Sequence, residues 1–195
     1  MVTDSGAGCT TADVMDGWRT LSIVRTIVVG ERPAELEAWL ARRRSLGLDL
    51  FDEMWNGEYH VAPAPHRRHG DIDDQLAALL RPLARAAGLW PSGPLNIGRP
   101  EDYRVPDRAY LADRRPRAFE PSAAVVVEIA SPGDETWDKF AFYFAARVEE
   151  VLVVDPLAHR VEWFARGADG FTETAGSRRL AVDTEALAAQ LDWPD

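Results

Sequence analysis

One lysine stands among 21 arginines in this chain, and it is Lys139. A solvated charge can be either residue, but the two differ where a compact ammonium must reach a small target such as a water or one phosphate oxygen. Lys139 follows Glu128 by 11 residues, and Glu128 follows Asp107 by 21. Glu128 is the lone carboxylate of an apolar run, AAVVVEIA, from Ala123 to Ala130. Burying an ionised carboxylate without a partner is prohibitively costly, so Glu128 must pair, protonate or bind metal. Asp107 follows Pro106 at the head of a strand candidate, where its side chain could face a cleft at the sheet edge. Two carboxylates on adjacent strands can hold one magnesium ion and leave waters in its shell. Such an ion polarises a phosphoryl oxygen and lowers the pKa of a bound water. A nearby ammonium then orients that water or neutralises charge developing on the phosphate. The chemistry suggested is phosphodiester hydrolysis. Two plainer readings compete with it: an arginine on a neighbouring strand would satisfy Glu128 equally well, and a single lysine can simply survive on a surface helix.

These residues need a scaffold, and the patterning supplies one. The run Ala123 to Ala130 is nearly continuous in apolar β-branched residues, as expected of a central strand covered on both faces. Strand alternation puts Glu128 and Val126 on one face, and Val127 and Ile129 on the other. Glu135 to Ala146 reads as the next helix, carrying Lys139, with Phe140, Tyr143 and Phe144 on a core-facing side. Glu150 to Asp155 (EVLVVD) reads as a second buried strand, and Asp155 as a turn residue before Pro156. Upstream, a short β-rich run at Arg25 to Gly30 precedes a helix that starts at Pro33 and fades near Gly47. Asn56-Gly57 marks a hairpin between Leu50–Trp55 and Glu58–Ala62. Asp71 to Ala87 reads as a helix with an apolar stripe of Ile72, Leu76, Leu79, Leu80 and Leu83, which Pro82 should break or kink. Leu95 to Gly98 and Arg108 to Ala112 are further strand candidates. Val161–Phe164 and Phe171–Thr174 form a closing hairpin, and Asp183 to Leu191 a final helix. Helices mixed with strands in this order imply an α/β layered domain.

Composition limits the alternatives. The chain has 195 residues, 46% hydrophobic and 28% charged, which suits one domain with a well-buried core. Its apolar stretches are far too short for a membrane span. The polar opening stretch reads as a loose end and not as a secretion signal. Cys9 is alone and cannot form an internal disulfide, so a cytoplasmic location is expected. The net charge of −10 argues against a generic nucleic-acid coat, although a cleft can be locally positive. Arginines cluster at Arg42–Arg44, at Arg67 and Arg68, and between Arg104 and Arg117. His66 and His69 read as turn and cap chemistry, and with no cysteine pair a structural zinc is not expected.

Five ordered pieces carry a resemblance. They are FDEMWNGE (Phe51 to Glu58), VAPAPHRRHGDIDDQL (Val61 to Leu76), VPD (Val105 to Asp107), VVVEIASPGDETWDK (Val125 to Lys139) and VEEVLVVDP (Val148 to Pro156). From about Phe51 to Phe164 the chain resembles the Uma-two family of restriction endonucleases, within the PD-(D/E)xK nuclease superfamily. The resemblance implies a restriction-endonuclease-like core, a mixed central β-sheet flanked by α-helices. It implies Asp107 and Glu128 as metal ligands, with Glu53 beside them at the metal. It implies His69 in contact with substrate or a carboxylate. In that superfamily the catalytic lysine usually sits two residues after the acid, a position held here by Ala130. Lys139 on the following helix resembles the migrated lysine of this family. A further departure is Arg147, where a glycine is common before the next strand. A left-handed backbone there costs a non-glycine residue roughly 1 kcal/mol.

The expectations are therefore a tail over 1–20 and a single domain over 21–195. Within it, 21–48 form a strand–helix extension and 49–166 the nuclease core. The expected activity is Mg2+-dependent (or Mn2+-dependent) hydrolysis of DNA by a homodimer. The competing expectation is a catalytically degenerate nuclease fold that serves as a binding or regulatory module.

Overall fold

In a computed structural model of the chain, the structure describes residues 26–28, 33–62, 65–133 and 135–194. The expected tail over 1–20, Cys9 and Asp134 lie outside the described residues. The elements in chain order are β1 (Thr26–Val28), α1 (Ala34–Ser45), β2 (Glu53–Trp55), β3 (Glu58–Val61), α2 (Arg67–Ala86), β4 (Trp90–Ser92) and β5 (Asn96–Arg99). Next come β6 (Asp102–Arg104), β7 (Arg108–Leu111), β8 (Phe119–Glu120) and β9 (Val125–Ile129). A short 3-10 turn, Trp137–Lys139, leads into α3 (Phe140–Ala145). The remainder is β10 (Glu150–Asp155), β11 (Arg160–Arg166), β12 (Phe171–Thr174), β13 (Gly176–Ser177), β14 (Val182–Asp183) and α4 (Thr184–Ala188).

The α/β class holds, with the strands divided between two mixed six-stranded sheets and a small β13–β14 ribbon. One sheet runs β1-β3-β2-β6-β5-β8, and the other β12-β11-β10-β9-β7-β4. In the second sheet only the β9–β10 pair is parallel. A parallel pair needs a crossover, and the 3-10 turn with α3 supplies it. Lys139 sits at the head of that crossover. The expected helix over Glu135–Ala146 is thus shorter, because its first turn is wound as 3-10.

The β9 alternation reads out as two cores. Val125, Val127 and Ile129 pack with Ile72, Leu76, Leu80 and Ala84 of α2 and with Trp163 of β11. Val126 joins the opposite core with Tyr143 of α3, Val151, Val153 and Ile97. Glu128, two residues after Val126, points to that second side.

Of the break or kink expected at Pro82, the break does not occur, since α2 continues past it to Ala86. Proline removes the N–H that would bond the carbonyl four residues earlier. That carbonyl belongs to Ala78, which is exposed, so water can satisfy it. The N-terminal end starts four residues earlier than expected because His66 caps it, its Nδ1 accepting from the Arg68 N–H. The Asn56-Gly57 turn forms as expected, with φ of 49° and 93°. Those left-handed values suit a two-residue hairpin. The short strands β4, β6 and β8 were not legible in the sequence. Among the described residues no helix is long and apolar enough to cross a membrane.

Candidate active site

Glu128 sits on β9 and is 3% exposed. Two donors from the crossover meet its carboxylate. The Lys139 ammonium lies 3.0 Å from Oε2 and 3.3 Å from Oε1, and the Tyr143 hydroxyl donates to Oε1. Lys139 and Tyr143 are four residues apart, so the helical turn brings both to one side. The same ammonium lies 3.0 Å from Oε1 of Glu53, which arrives from β2 in the other sheet. The lone lysine therefore bridges two buried carboxylates and two sheets. Among the described residues the cation that pairs with Glu128 is Lys139, and no arginine does so.

Asp107 precedes β7, the antiparallel neighbour of β9. Its Oδ2 accepts the Ile129 N–H at 2.7 Å, which locks it to the end of β9 beside Glu128. Its Oδ1 lies 3.0 Å from Nε2 of His69 on α2. Behind this pair, Arg108 donates to Asp73 at 2.7 Å, tying the head of β7 to α2. Glu53, Asp107, Glu128, Lys139 and His69 thus fall into one connected network. Sequence reasoning missed two of its members. Tyr143 was read only as core, and it is core, but its position four residues after Lys139 marked it as a second donor. Trp55, whose indole N–H donates to Oε2 of Glu53 at 2.6 Å, gave no chemical signal beyond its proximity to Glu53.

The electrostatics follow from burial and crowding. Burial pushes the Glu128 carboxyl up to about 8; the Lys139 ammonium pulls against the rise, while Asp107 and Glu53 add to it. Burial alone would lower the Lys139 pKa, but the Glu128, Glu53 and Asp107 carboxylates outweigh it and raise the value above the ordinary one. Burial likewise works against the His69 cation, yet the Asp107 hydrogen bond and charge win and its pKa is raised. With all three carboxylates ionised, Lys139 charged and His69 neutral, the set carries a net charge of −2.

That donor set suits a hard divalent cation. Asp107 and Glu128 supply carboxylate oxygens from adjacent strands, and an ionised carboxylate has about four lone-pair sites. Among the described residues, no group of three or more His, Cys, Asp or Glu side chains is arranged around one metal position. Mg2+ does not need such a cage, since it usually binds through one or two carboxylates and keeps several waters.

A family model described as "Uma2: Putative restriction endonuclease" matches residues 34–192. The chain belongs to the Uma2 family. The five sequence pieces that suggested this all lie within the matched span, as do all five site residues. Among solved structures, the Uma2 chain is similar to one described as "a putative nuclease belonging to DUF820 from Anabaena variabilis". The TM-score is 0.58 at 14% identity, covering 71% of this chain and 90% of that one. At that identity the likeness is one of fold. No curated protein matches the chain.

Proposed function

We propose that this Uma2 protein is a metal-dependent endonuclease that hydrolyses DNA phosphodiester bonds, with Asp107 and Glu128 holding Mg2+ or Mn2+. The observation that carries the reading is the convergence of Glu53, Glu128 and the sole lysine, with Asp107 bonded to the next backbone N–H along β9. The family description and the nuclease named as a fold neighbour support the same class. A divalent cation supplies Lewis acidity towards a phosphoryl oxygen and makes a neighbouring water more acidic. Lys139 presents its ammonium beside the two acids, where it orients the attacking water or offsets charge gathering on the phosphate. Tyr143 holds one oxygen of Glu128 and so fixes its rotamer. His69 holds Asp107 from the α2 side through its Nε2, 3.0 Å from Oδ1.

Plasmid nicking with magnesium tests the proposal on wild type, Asp107→Ala and Lys139→Ala. Wild type should nick, and each variant should lose activity by about 10²-fold or more. Equal residual activity in all three would count against the assignment. A homodimer is part of this reading, because two symmetric sites cut two strands; light scattering reads its mass.

One observation favours a second reading, a catalytically silent binding module. The Lys139 ammonium already satisfies Glu53 and Glu128 without any added cation. Calorimetric titration separates the two. Saturable Mn2+ binding lost in Glu128→Gln supports the nuclease, and no binding at millimolar metal supports the module.

A further inference from the structure

Glu53 was expected beside the metal, and three donors already meet its carboxylate. Its Oε1 accepts the Val105 N–H at 2.7 Å, as well as the Lys139 ammonium. Its Oε2 accepts the Trp55 indole N–H at 2.6 Å. Two of these donors cannot withdraw easily. Val105 offers a main-chain group, and Trp55 is itself clamped. The Trp55 ring stacks on His60 with centroids 4.5 Å apart and planes within 10°. The Arg104 guanidinium lies 4.1 Å from the Trp55 centroid, and Arg104 is 3% exposed and bonded to the Met54 and Tyr103 carbonyls. Three of its roughly four acceptor sites are thus taken, so a cation would meet a donor already in place on either oxygen.

The donors on Glu128 differ in kind. They are two side-chain groups, the Tyr143 hydroxyl and the Lys139 ammonium, with no main-chain N–H among them. The β2–β3 hairpin also grips the lysine a second time. His60 Nδ1 lies 3.0 Å from Oε2 of Glu135. The Glu135 carbonyl accepts the Lys139 N–H at 3.3 Å. The hairpin thus holds the main chain of the lysine turn at one end and the ammonium at the other.

We infer that Glu53 is a positioning residue for Lys139 and not a ligand of the cation, and that Trp55 fixes Glu53 for that purpose. The inference rests on the reading of Lys139 as the group that serves the phosphate. It explains how a lysine far from its usual place after the acid is brought back to it. The second sheet reaches across and holds it there.

The uniqueness of Lys139 makes the test direct, because 15N-lysine labelling yields one side-chain signal. An ammonium held by two buried carboxylates exchanges its protons slowly and is visible near neutral pH. The experiment compares that signal, and Mn2+ affinity by calorimetry, in wild type, Glu53→Gln, Trp55→Phe and Glu128→Gln. Glutamine at 53 must turn an amide donor towards the Trp55 N–H or towards Lys139, so the ammonium signal should broaden or vanish. Phenylalanine keeps an aromatic ring for the stack and removes the N–H with the rest of the five-membered ring, so proton exchange at Lys139 should quicken several-fold. Glu53→Gln should weaken Mn2+ binding by about tenfold less than Glu128→Gln does, and Trp55→Phe should leave it near wild type. The inference is overturned if Glu53→Gln costs as much metal affinity as Glu128→Gln. It is overturned equally if Trp55→Phe leaves the ammonium signal unchanged, or if wild type shows no protected ammonium. None of these readouts needs DNA cleavage, so an inactive wild type would sink the nuclease reading, while the ammonium signal separately decides whether Glu53 holds Lys139.

Discussion

Replacing Lys139 with methionine keeps the length of the side chain and removes its charge. In the wild type the ammonium lies 3.0 Å from both Glu128 and Glu53, and the two carboxylates are almost fully buried. Removing one partner of a buried pair costs about 3–5 kcal/mol when the other charge must stay. Here it need not stay. The Glu128 carboxyl is already raised to about 8 with the lysine present, chiefly by burial. Without the lysine the opposing pull is gone and the folded value rises further. A carboxyl whose folded pKa exceeds its unfolded one binds its proton more tightly in the native state, so it costs stability as pH rises between the two values. Wild type therefore loses stability up to about pH 8 from this group and then levels off, whereas the variant goes on losing it. Below about pH 8 the gap should be constant at about 2 kcal/mol, the net loss of charge-assisted hydrogen bonds. Above it the gap should widen by up to about 1.4 kcal/mol per pH unit. Urea denaturation of both proteins from about pH 6 to about pH 9.5 measures it. A gap that is the same at both ends, or a variant more stable than wild type, would refute the account of Glu128 as the buried acid that Lys139 holds.

Three shorter expectations follow from the same structure. Metal affinity should tighten with pH, approaching tenfold per unit between about pH 6 and about pH 8, because the proton on Glu128 and the cationic form of His69 both oppose binding; a flat calorimetric profile would contradict it. Arg147 adopts φ of 61°, so Arg147→Gly should stabilise the protein by about 0.5–1 kcal/mol in thermal melts, and a lower melting temperature would show that no strain is stored there. Glu150 is buried and accepts from the Trp163 indole, the Ser177 hydroxyl and the Arg178 and Arg179 N–H groups, while the Ser177 oxygen also accepts from the Leu180 N–H. Ser177→Ala should therefore cost about 1–3 kcal/mol in urea denaturation, and a neutral result would mean that water replaces the hydroxyl.

Much of the site was legible because burial and charge conflict visibly in a sequence. A glutamate inside a β-branched run must find a partner, and the single lysine downstream was the candidate the chain offered. The β9 and β10 strands, and the α2 stripe, were legible because their apolar periods match their burial. The strands β4, β6 and β8 were not, since two or three residues carry no period to read. Pro82 does not end α2 for a local reason: the carbonyl it orphans, that of Ala78, lies on the exposed face of the helix, where water can satisfy it. Tyr143 was half-read. Helical spacing marks an aromatic residue as core whether or not its hydroxyl reaches an acid, and here both are true.

The sequence placed Glu53 near the site, but not how the other sheet holds Lys139. Glu53, Trp55 and His60 are close in sequence, but their relation to Lys139 exists only because β2 and β3 lie against the crossover that follows β9. This arrangement also bears on why the lysine can sit on a helix at all. A lysine two residues after Glu128 on the same strand would point to the same face by alternation alone. From the crossover, no such geometric guarantee exists, and four rotatable stem bonds would leave the ammonium free to turn to solvent. The Glu53 carboxylate, fixed by a backbone N–H and a clamped indole, replaces that guarantee. A lysine that leaves the strand needs a second acid to bring it back, and the position before the Asn56-Gly57 turn is where this fold supplies one.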